Sequence, residues 1–317
     1  MTTLVTGCAG FIGSHVCEAL LRQGETVVGV DNMNDYYDVT QKEQNLEILT
    51  RYPSFTFVRE DIVVSRCIDT YRPRRVCHLA SRAGVRDSLK DPTLYCRNNV
   101  EGQVNLLEQA VKCGVQLFVY ASSSSVYGLN TKVPFSETDP LTSPNSAYAC
   151  SKVAMEVYGD YYHRLYGIPV IGLRFFTVYG PRGRPDMAPY KFVRDIMEGT
   201  PIVRYGDGTT MRDYTYIDDI VSGILASLRS ETSGVYNLGN GAPISLNMFI
   251  ATCEKVVGKR ATITEVGDQK GDVPLTYADI EKARRDLNYE PKTGIEEGLR
   301  KLYEWLIDHR HLVSDSV

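Results

Sequence analysis

The stretch Thr3-Leu4-Val5-Thr6-Gly7-Cys8-Ala9-Gly10-Phe11-Ile12-Gly13 decides the fold of this 317-residue chain. A short β-branched run leads into glycines spaced three apart, and a helical pattern follows. Glycine is needed where the backbone turns tightly and where a ligand must approach the main chain closely. Such a turn presents the first amides of a helix, with their partial positive charge, to a diphosphate. The predicted cofactor contacts in this dinucleotide-binding turn are Gly7, Gly10, Phe11, Ile12 and Gly13.

An aspartate at the end of the second predicted strand indicates which dinucleotide is bound. Asp31 lies eighteen residues after the last glycine of the turn. A carboxylate there accepts hydrogen bonds from a ribose 2′-hydroxyl and repels a 2′-phosphate. Because Asp31-Asn32 has no adjacent arginine, the sequence predicts NAD rather than NADP, with both residues at the cofactor. For Asp61-Ile62, after the third predicted strand, two readings remain open: contact with the adenine, or an ordinary loop aspartate.

Short β-branched runs alternate with helical patterns through the first half of the chain. The predicted strands are residues 3–6, 26–31, 56–58, 75–79, 117–121 and 169–174, and the main predicted helices are residues 12–23, 100–113 and 148–166. This alternation predicts an α/β protein with a Rossmann-type, doubly wound parallel sheet. Beyond about residue 175, loops rich in glycine and proline separate shorter elements. We therefore expect an NAD-binding domain over residues 1–175 and a smaller α/β substrate-binding lobe over residues 176–317, interleaved with the first.

Composition and charge exclude several other classes of protein. Hydrophobic residues make up 43% of the chain and charged residues 23%, as in ordinary globular enzymes. The formal net charge of −4 argues against a nucleic-acid partner, because binding a phosphate backbone needs a basic surface. No apolar run approaches the roughly 20 residues of a membrane helix, and no signal peptide is visible. The eight cysteines form no C-x-x-C pair and the five histidines show no metal-ligand spacing, so we expect a cytoplasmic protein without a metal.

Tyr148 and Lys152 form the most informative pair of reactive side chains. Their spacing in Ser146-Ala147-Tyr148-Ala149-Cys150-Ser151-Lys152 places both on one face of a helix. A cation beside a phenol favours the phenolate and lowers a tyrosine pKa from its usual value of about 10. The pair alone is a common coincidence. Together with the dinucleotide-binding turn and the serines at 122–125, it predicts an active site in which Tyr148 is the base.

With these motifs, the chain resembles the extended short-chain dehydrogenase/reductase family, and within it the NAD-dependent sugar-nucleotide 4-epimerases. The resemblance covers almost the whole length: the glycine turn, residues 120–128, the Tyr148/Lys152 pair, residues 212–219 and residues 287–293. Residues 83–86, 174–181, 183–188 and 271–276 are similar to UDP-glucuronate 4-epimerases in particular. The chain departs from that pattern at Ser81-Arg82, where an uncharged pair is usual, and at Arg182, where a tryptophan is usual.

The resemblance implies a hydride relay on bound NAD. Tyr148 would take the proton of the sugar C4 hydroxyl, and Ser123 would hydrogen-bond the same oxygen. Lys152 would keep the phenolate accessible and bind the nicotinamide ribose. The 4-keto sugar would then turn and take the hydride back on its other face, so that NAD is not consumed. The further NAD-binding positions implied by the resemblance are Leu79, Ala80 and Asn99.

The two residues after Ser123 discriminate between reactions. By resemblance, sugar-nucleotide 4,6-dehydratases carry an Asp-Glu pair there, and UDP-glucuronate decarboxylases carry a Glu at the second position. This chain has Ser124 and Ser125, which can bind a substrate but cannot act as carboxylate acids or bases. We therefore expect a UDP-sugar 4-epimerase, first of all one that converts UDP-glucuronate to UDP-galacturonate. UDP-glucose or UDP-N-acetylglucosamine is the alternative substrate, and a dehydratase, decarboxylase or net dehydrogenase is disfavoured.

Several side chains are candidates for binding such a substrate. Arginine matches a planar carboxylate in bidentate fashion, so Arg86 and Arg184, with Thr177, are expected at a C6 carboxylate. For each arginine, a solvated surface position is the equal alternative. Arg212 and Asp272 are expected at the diphosphate end of the nucleotide. Family members often dimerise through the two helices predicted at 100–113 and 148–166, so we expect a homodimer.

Overall fold

The computed structural model describes residues 1–267 and 273–309. Its strands, in chain order, are β1 (Thr2–Thr6), β2 (Thr26–Asp31), β3 (Phe55–Arg59), β4 (Arg75–His78), β5 (Leu117–Ser123), β6 (Val170–Phe175), β7 (Thr177–Tyr179), β8 (Ile202–Tyr205), β9 (Met211–Arg212), β10 (Tyr214–Tyr216), β11 (Gly234–Leu238), β12 (Ile244–Ser245) and β13 (Ile263–Val266). Seven of them form one parallel sheet in the order β3-β2-β1-β4-β5-β6-β11. The predicted doubly wound α/β fold is confirmed.

Helices cover both faces of this sheet. The α-helices are α1 (Phe11–Arg22), α2 (Val39–Thr50), α3 (Cys67–Tyr71), α4 (Val85–Ser88), α5 (Pro92–Tyr95), α6 (Gly102–Cys113), α7 (Ala147–Tyr166), α8 (Ala188–Glu198), α9 (Ile217–Ser227), α10 (Leu246–Val257), α11 (Glu281–Leu287) and α12 (Ile295–Asp308). A π-helix (Cys96–Glu101) leads into α6, and a 3₁₀ helix (Ser124–Tyr127) follows β5. Because helices cover both faces, every residue of β4 and β5 is buried.

The order of the strands locates the ligand cleft. From β1 the chain proceeds outward through β2 and β3, then returns to place β4 on the other side of β1. Connections leave β1 and β4 in opposite directions, which opens a crevice at the carboxyl ends of these two strands. The glycine turn follows β1, and residues 79–84 follow β4. Both predicted cofactor segments therefore lie at this crevice.

The second half of the chain contributes to both lobes. Strand β11 pairs with β6 in the large sheet, and sequence reasoning did not predict it. The two-stranded pairs β7–β10, β8–β13 and β9–β12 lie outside that sheet, and α8, α10 and α12 pack against one another. The buried Asp213 joins these parts, because its carboxylate accepts hydrogen bonds from the amides of Asn240, Gly241 and Ala278.

Within the part of the chain that the structure describes, no helix combines the length and the apolar character needed to cross a membrane.

Candidate active site

The glycine turn is built as the sequence predicts. Gly7 has φ +71°, and its amide donates to the carbonyl of Val30 at 2.7 Å. A Cβ on Gly7 would lie 2.8 Å from the Ala80 nitrogen, and one on Gly13 would lie 1.9 Å from the Gly7 oxygen. These two glycines are thus required by the packing of the turn against β4 and α1. Gly10 is the N-cap of α1 and, because it has no side chain, it cannot cap the first amides of that helix.

The turn fits a dinucleotide diphosphate. A Cβ on Gly10 would meet only the Gly7 oxygen at 3.3 Å and the Tyr37 hydroxyl at 3.8 Å. Because Gly10 has no side chain, a ligand can approach its backbone. The space beside Gly7 and Gly13, by contrast, is occupied by other atoms of the protein. The first amides of α1 can donate to phosphate oxygens here.

Asp31 is held rigidly at the end of β2. Its two carboxylate oxygens accept hydrogen bonds from the amides of Ala9 (3.2 Å) and Met33 (2.9 Å). Each oxygen has a second lone pair with which it can accept from a ribose hydroxyl. The Lys42 ammonium lies 3.7 Å from Asp31, and burial lowers the lysine pKa. Lys42 comes from α2 and could not be assigned to this carboxylate from sequence spacing.

The other predicted cofactor residues lie around the same crevice. Asp61 caps its own turn by accepting from the amide of Val63, while Ile62 is buried. The amide of Leu79 donates to the Thr6 carbonyl, and that of Ala80 donates to the Thr6 hydroxyl at 3.1 Å. Both contacts tie the segment after β4 to β1.

Asn99 links two of the predicted segments. It is fully buried in the π-helix, and its side-chain amide bonds both backbone polar groups of Arg82 as well as the Ser151 hydroxyl. The residue therefore fixes the loop after β4 against α7, the helix that carries Tyr148 and Lys152. Asn32 also acts locally, because its side chain accepts from the amide of Asn34.

Helix α7 presents Tyr148 and Lys152 to the end of β5. The helix is capped by the Ser146 hydroxyl, which accepts from the amide of Ala149 at 3.1 Å. The Lys152 ammonium lies 5.8 Å from the centre of the Tyr148 ring and donates to the carbonyl of Ala121 at 2.8 Å. Ser123, the last residue of β5, accepts from the amide of Ser125 at 3.1 Å.

The pKa of Tyr148 differs from the sequence-based expectation. Burial raises it above the usual value for a phenol, while a hydrogen bond to Ser123 and the charge of Arg184 act in the lowering direction. Burial also lowers the pKa of Lys152 to about 7, with the charge of Glu156 opposing. The expected lowering by Lys152 is wrong for this structure because desolvation penalises both the phenolate and the ammonium. The neighbours that offset burial of the phenol are Ser123 and Arg184.

A buried ion pair supports the site from beneath. Arg174 on β6 forms two hydrogen bonds with Glu156 on α7, at 2.8 and 2.7 Å. The Ser122 hydroxyl donates to the same carboxylate, and Arg174 also donates to the Tyr127 hydroxyl at 2.9 Å. One carboxylate thus joins α7, β5 and β6 directly behind Lys152.

Arg184, a predicted substrate residue, lies within electrostatic reach of Tyr148, since its charge acts to lower the pKa of that phenol. It donates to Asp186 and lies 5.0 Å from the centre of the Tyr36 ring. Ser124 and Ser125, in the 3₁₀ helix after Ser123, are partly buried beside the same strand end.

The remaining predicted substrate residues occupy the second lobe or its border. The amide of Thr177, at the start of β7, donates to the carbonyl of Asp213. Arg86 on α4 lies 5.2 Å from the centre of the Tyr205 ring. Arg212 on β9 is partly buried and donates to the carbonyl of Met211. Asp272 lies outside the described residues.

Comparisons with known proteins show which family the chain belongs to. Residues 4–302 match the family model described as GDP-mannose 4,6 dehydratase. The chain belongs to the GDP-mannose 4,6 dehydratase family. The predicted membership of the extended short-chain dehydrogenase/reductases is confirmed.

The proteins similar to this chain include several epimerases. The chain is 45% identical over 315 residues to a UDP-glucuronate 4-epimerase from Thermodesulfobacterium geofontis, covering 98% of this chain and 97% of the relative. A UDP-glucuronic acid 4-epimerase from Bacillus cereus, solved in complex with UDP-glucuronic acid and NAD, has a TM-score of 0.92 at 37% identity, covering 97% and 99% of the two chains. A UDP-glucose 4-epimerase from Thermotoga maritima, solved with UDP-glucose, has a TM-score of 0.90 at 33% identity and the same coverage.

In this member of the GDP-mannose 4,6 dehydratase family, sequence reasoning missed an aromatic residue at the mouth of the crevice. Tyr36, in the loop after β2, lies between two arginines, with Arg82 at 4.3 Å and Arg184 at 5.0 Å from its ring centre. Its hydroxyl donates to Asp87 at 2.8 Å. The paired tyrosines at 36–37, so soon after Asp31, were the only sequence signal for this contact.

A set of contacts that fastens the segment preceding Arg184 was also missed. The buried Gln41 on α2 donates to the carbonyls of Arg182 (2.7 Å) and Gly183 (2.9 Å). Arg182, at φ +59°, pairs with Glu18 on α1. Where UDP-glucuronate 4-epimerases usually carry a tryptophan, this chain thus has an arginine that ties the segment to α1.

Proposed function

We propose that the chain is an NAD-dependent UDP-sugar 4-epimerase, an isomerase whose substrate is UDP-glucuronate and whose product is UDP-galacturonate. The observation that carries this proposal is the composition of the site around β5. Tyr148, Ser123 and Lys152 meet at the strand end, and the next two positions are Ser124 and Ser125. A dehydration or decarboxylation would need a carboxylate acid or base at those positions. The relatives named as UDP-glucuronate 4-epimerases support the same reaction.

NAD would be held by the glycine turn, Asp31 and the segment after β4. When bound, it supplies the hydride acceptor and donor of the reaction. The protein's own part begins with Tyr148, which as phenolate would take the proton of the sugar C4 hydroxyl and later return it. Ser123 would hydrogen-bond the same sugar oxygen, which would hold the phenol and the sugar hydroxyl in line. Lys152, whose pKa burial lowers to about 7, would hydrogen-bond the nicotinamide ribose beside the phenol.

The carboxylate of the substrate is assigned to Arg184, with Thr177 and the serines beside it. A guanidinium binds a carboxylate through two parallel hydrogen bonds, and the influence of the Arg184 charge on Tyr148 supports such a contact beside the reacting sugar. UDP-glucose, which carries a hydroxymethyl group instead, would lose this interaction. UDP-glucose therefore remains the second candidate substrate, favoured by the likeness to the Thermotoga maritima enzyme.

The test is incubation of the purified protein with UDP-glucuronate, UDP-glucose and UDP-N-acetylglucosamine, without added NAD. Nucleotide sugars are then separated by chromatography, and NADH is followed by its absorbance. We expect an equilibrium mixture of UDP-glucuronate and UDP-galacturonate with no net growth of NADH. Formation of UDP-xylose, of a stable 4-keto product or of stoichiometric NADH would refute the proposal.

The role of Arg184 has its own test. Arg184→Ala should reduce kcat/KM for UDP-glucuronate by roughly 10- to 100-fold, the cost of losing a hydrogen bond to a charged group. The loss for UDP-glucose should be clearly smaller. Equal losses for both substrates would remove the carboxylate role.

We further propose a homodimer that forms through α6 and α7. Val157, Tyr161 and Leu165 follow one another at four-residue intervals on α7 and are exposed, with Tyr158 and Tyr166 beside them. A second copy of the chain would cover this apolar stripe. Light scattering coupled to size-exclusion chromatography measures the mass directly, and a monomer at micromolar concentration would refute the proposal.

Two further predictions stay proposals. We propose a cytoplasmic location, supported by the eight free cysteines of the structure.

We also propose the division into an NAD-binding domain at 1–175 and a UDP-sugar-binding domain at 176–317. Strand β11 returns from the second part to the large sheet, which is the interleaving expected of these two domains.

A further inference from the structure

The side chain of Arg184 is already engaged by a carboxylate. Its Nε donates to Asp186 Oδ1 at 3.0 Å and its Nη2 donates to Oδ2 of the same group at 2.6 Å. This fork of two parallel bonds is the geometry in which a guanidinium would bind the carboxylate of a substrate. Asp186 and a substrate carboxylate would therefore use the same edge of Arg184.

The two members of this pair differ in their surroundings. The Arg184 side chain is 16% exposed, and the Tyr36 ring and hydroxyl contact its guanidinium at 5.0 and 3.3 Å. The Asp186 side chain is 45% exposed. If the pair opened, Asp186 could turn into water at small cost, whereas Arg184 would stay against Tyr36. The arginine is thus the fixed partner and the aspartate the exchangeable one.

The backbone before this pair is held in place, so an exchange would need only side-chain rotation. Gln41 donates to the carbonyls of Arg182 and Gly183, and the amide of Gly183 donates to the Gly180 carbonyl at 3.1 Å. His15 adds a hydrogen bond to the carbonyl of Pro181 at 3.1 Å. These contacts come from α1 and α2 and from the turn itself. None of them involves the side chain of Asp186.

We propose that Asp186 is an internal competitor for the bidentate edge of Arg184, displaced only by a substrate that carries its own carboxylate. The inference rests on the proposed function, because it takes the substrate to be a UDP-uronate. A carboxylated sugar exchanges one ion pair for another. A neutral sugar offers only a hydroxyl, which cannot compete with the aspartate. Asp186 would therefore weaken binding of UDP-glucuronate by a modest factor and leave binding of UDP-glucose unchanged.

The test is Asp186→Asn, with Asp186→Ala to exclude a new amide–guanidinium bond. For the NAD-loaded protein, binding of UDP-glucuronate and of UDP-glucose is measured by titration calorimetry, and KM and kcat are measured for UDP-glucuronate. We expect the Kd and KM for UDP-glucuronate to fall roughly two- to fivefold, the factor that corresponds to a partly exposed ion pair. The Kd for UDP-glucose and the kcat for UDP-glucuronate should remain within twofold of the wild-type values.

The chain offers a matched control in Asp286→Asn. Asp286 forms the same kind of fork with Arg285, at 2.7 and 3.2 Å, on α11. This substitution removes one negative charge outside the crevice, so it should change neither affinity. A gain in affinity with both variants would reflect net charge alone and overturn the proposal.

Other outcomes separate this inference from the proposed function. If wild-type protein interconverts UDP-glucuronate and UDP-galacturonate but Asp186→Asn leaves affinity unchanged, the competition is refuted while the function stands. If the variant binds UDP-glucuronate more weakly, Asp186 positions Arg184 for the substrate, which also overturns the proposal. If wild-type protein neither binds nor converts UDP-glucuronate, the proposed function fails first.

Discussion

Replacing the buried histidine of β4 by a residue that cannot titrate should remove part of the sensitivity of the fold to acid. His78 has no exposed surface, and its Nδ1 lies 2.8 Å from the Thr6 hydroxyl. Within the described residues, its Nε2 is buried without a hydrogen-bond partner. Burial, followed by the charge of Lys152, lowers the pKa of His78 to about 3. The folded protein therefore keeps this ring neutral at pH values where an unfolded chain would protonate it.

The size of the effect follows from proton linkage. The unfolded pKa of histidine is about 6.5, so between about pH 6.5 and 3 the unfolded state binds the extra proton. This contribution to stability is fully present above pH 6.5 and is lost as the pH falls. The loss is about 1.4 kcal/mol per pH unit, or about 2 kcal/mol at pH 5. The loss of stability at pH 5 depends on the pKa of His78 in the unfolded chain. It hardly depends on the pKa of His78 in the folded protein, provided that this pKa lies below 4.

The measurement is urea unfolding of wild type and His78→Gln at pH 8, 7 and 5. Glutamine can still hydrogen-bond Thr6 but cannot titrate. Both proteins lose stability at pH 5 through their carboxylates, but the drop from pH 7 to 5 should be about 2 kcal/mol smaller in the variant. Between pH 8 and 7 the two proteins should respond alike, which serves as an internal control. The same acid-induced drop in both proteins would refute a neutral His78 in the folded state.

Two further substitutions test the base and its support. Tyr148→Phe should lower kcat by roughly 100-fold or more, the scale of general-base catalysis, with an unchanged thermal melt; normal turnover would remove Tyr148 from the mechanism. Glu156→Gln should cost about 3–5 kcal/mol of unfolding free energy in urea titrations, because it leaves the Arg174 charge buried without its partner. The double variant Glu156→Leu/Arg174→Met, which removes both charges, should recover most of the stability lost in Glu156→Gln. A Glu156→Gln variant as stable as wild type would contradict the argument.

Local patterns were sufficient to predict most of the large sheet. Strand β2 has the predicted bounds, and α7 begins one residue earlier than predicted. Strand β5 runs two residues further, so that Ser122 and Ser123 belong to the strand itself. The helix predicted at 100–113 begins as α6 at Gly102, because the residues before it form a π-helix. Strand β11 was missed, since its five residues join a sheet whose other strands lie at least 59 residues earlier.

The candidate site divides in the same way. The positions of the glycine turn, of Asp31 and of the Tyr148/Lys152 pair could be predicted because each is set by the strand or helix that carries it. The hydrogen bonds from Gln41 to the carbonyls of Arg182 and Gly183 join residues 141 and 142 positions apart. No period or local motif signals such a pair, because it depends on how α2 packs against a loop from the other half of the chain.

The environment of Tyr148 shows why spacing predicts a contact but not its electrostatic sign. A lysine four residues away on a helix does approach the phenol, as the 5.8 Å separation from Lys152 shows. Yet Lys152 is buried and Tyr148 is partly buried, and desolvation shifts each pKa against its charged form. Arg184 is the cation that opposes the effect of desolvation on the pKa of Tyr148. Gln41 on α2 holds the two residues that precede Arg184. The pKa of the base is therefore tied to the position of Arg184, the residue that is proposed to recognise the substrate.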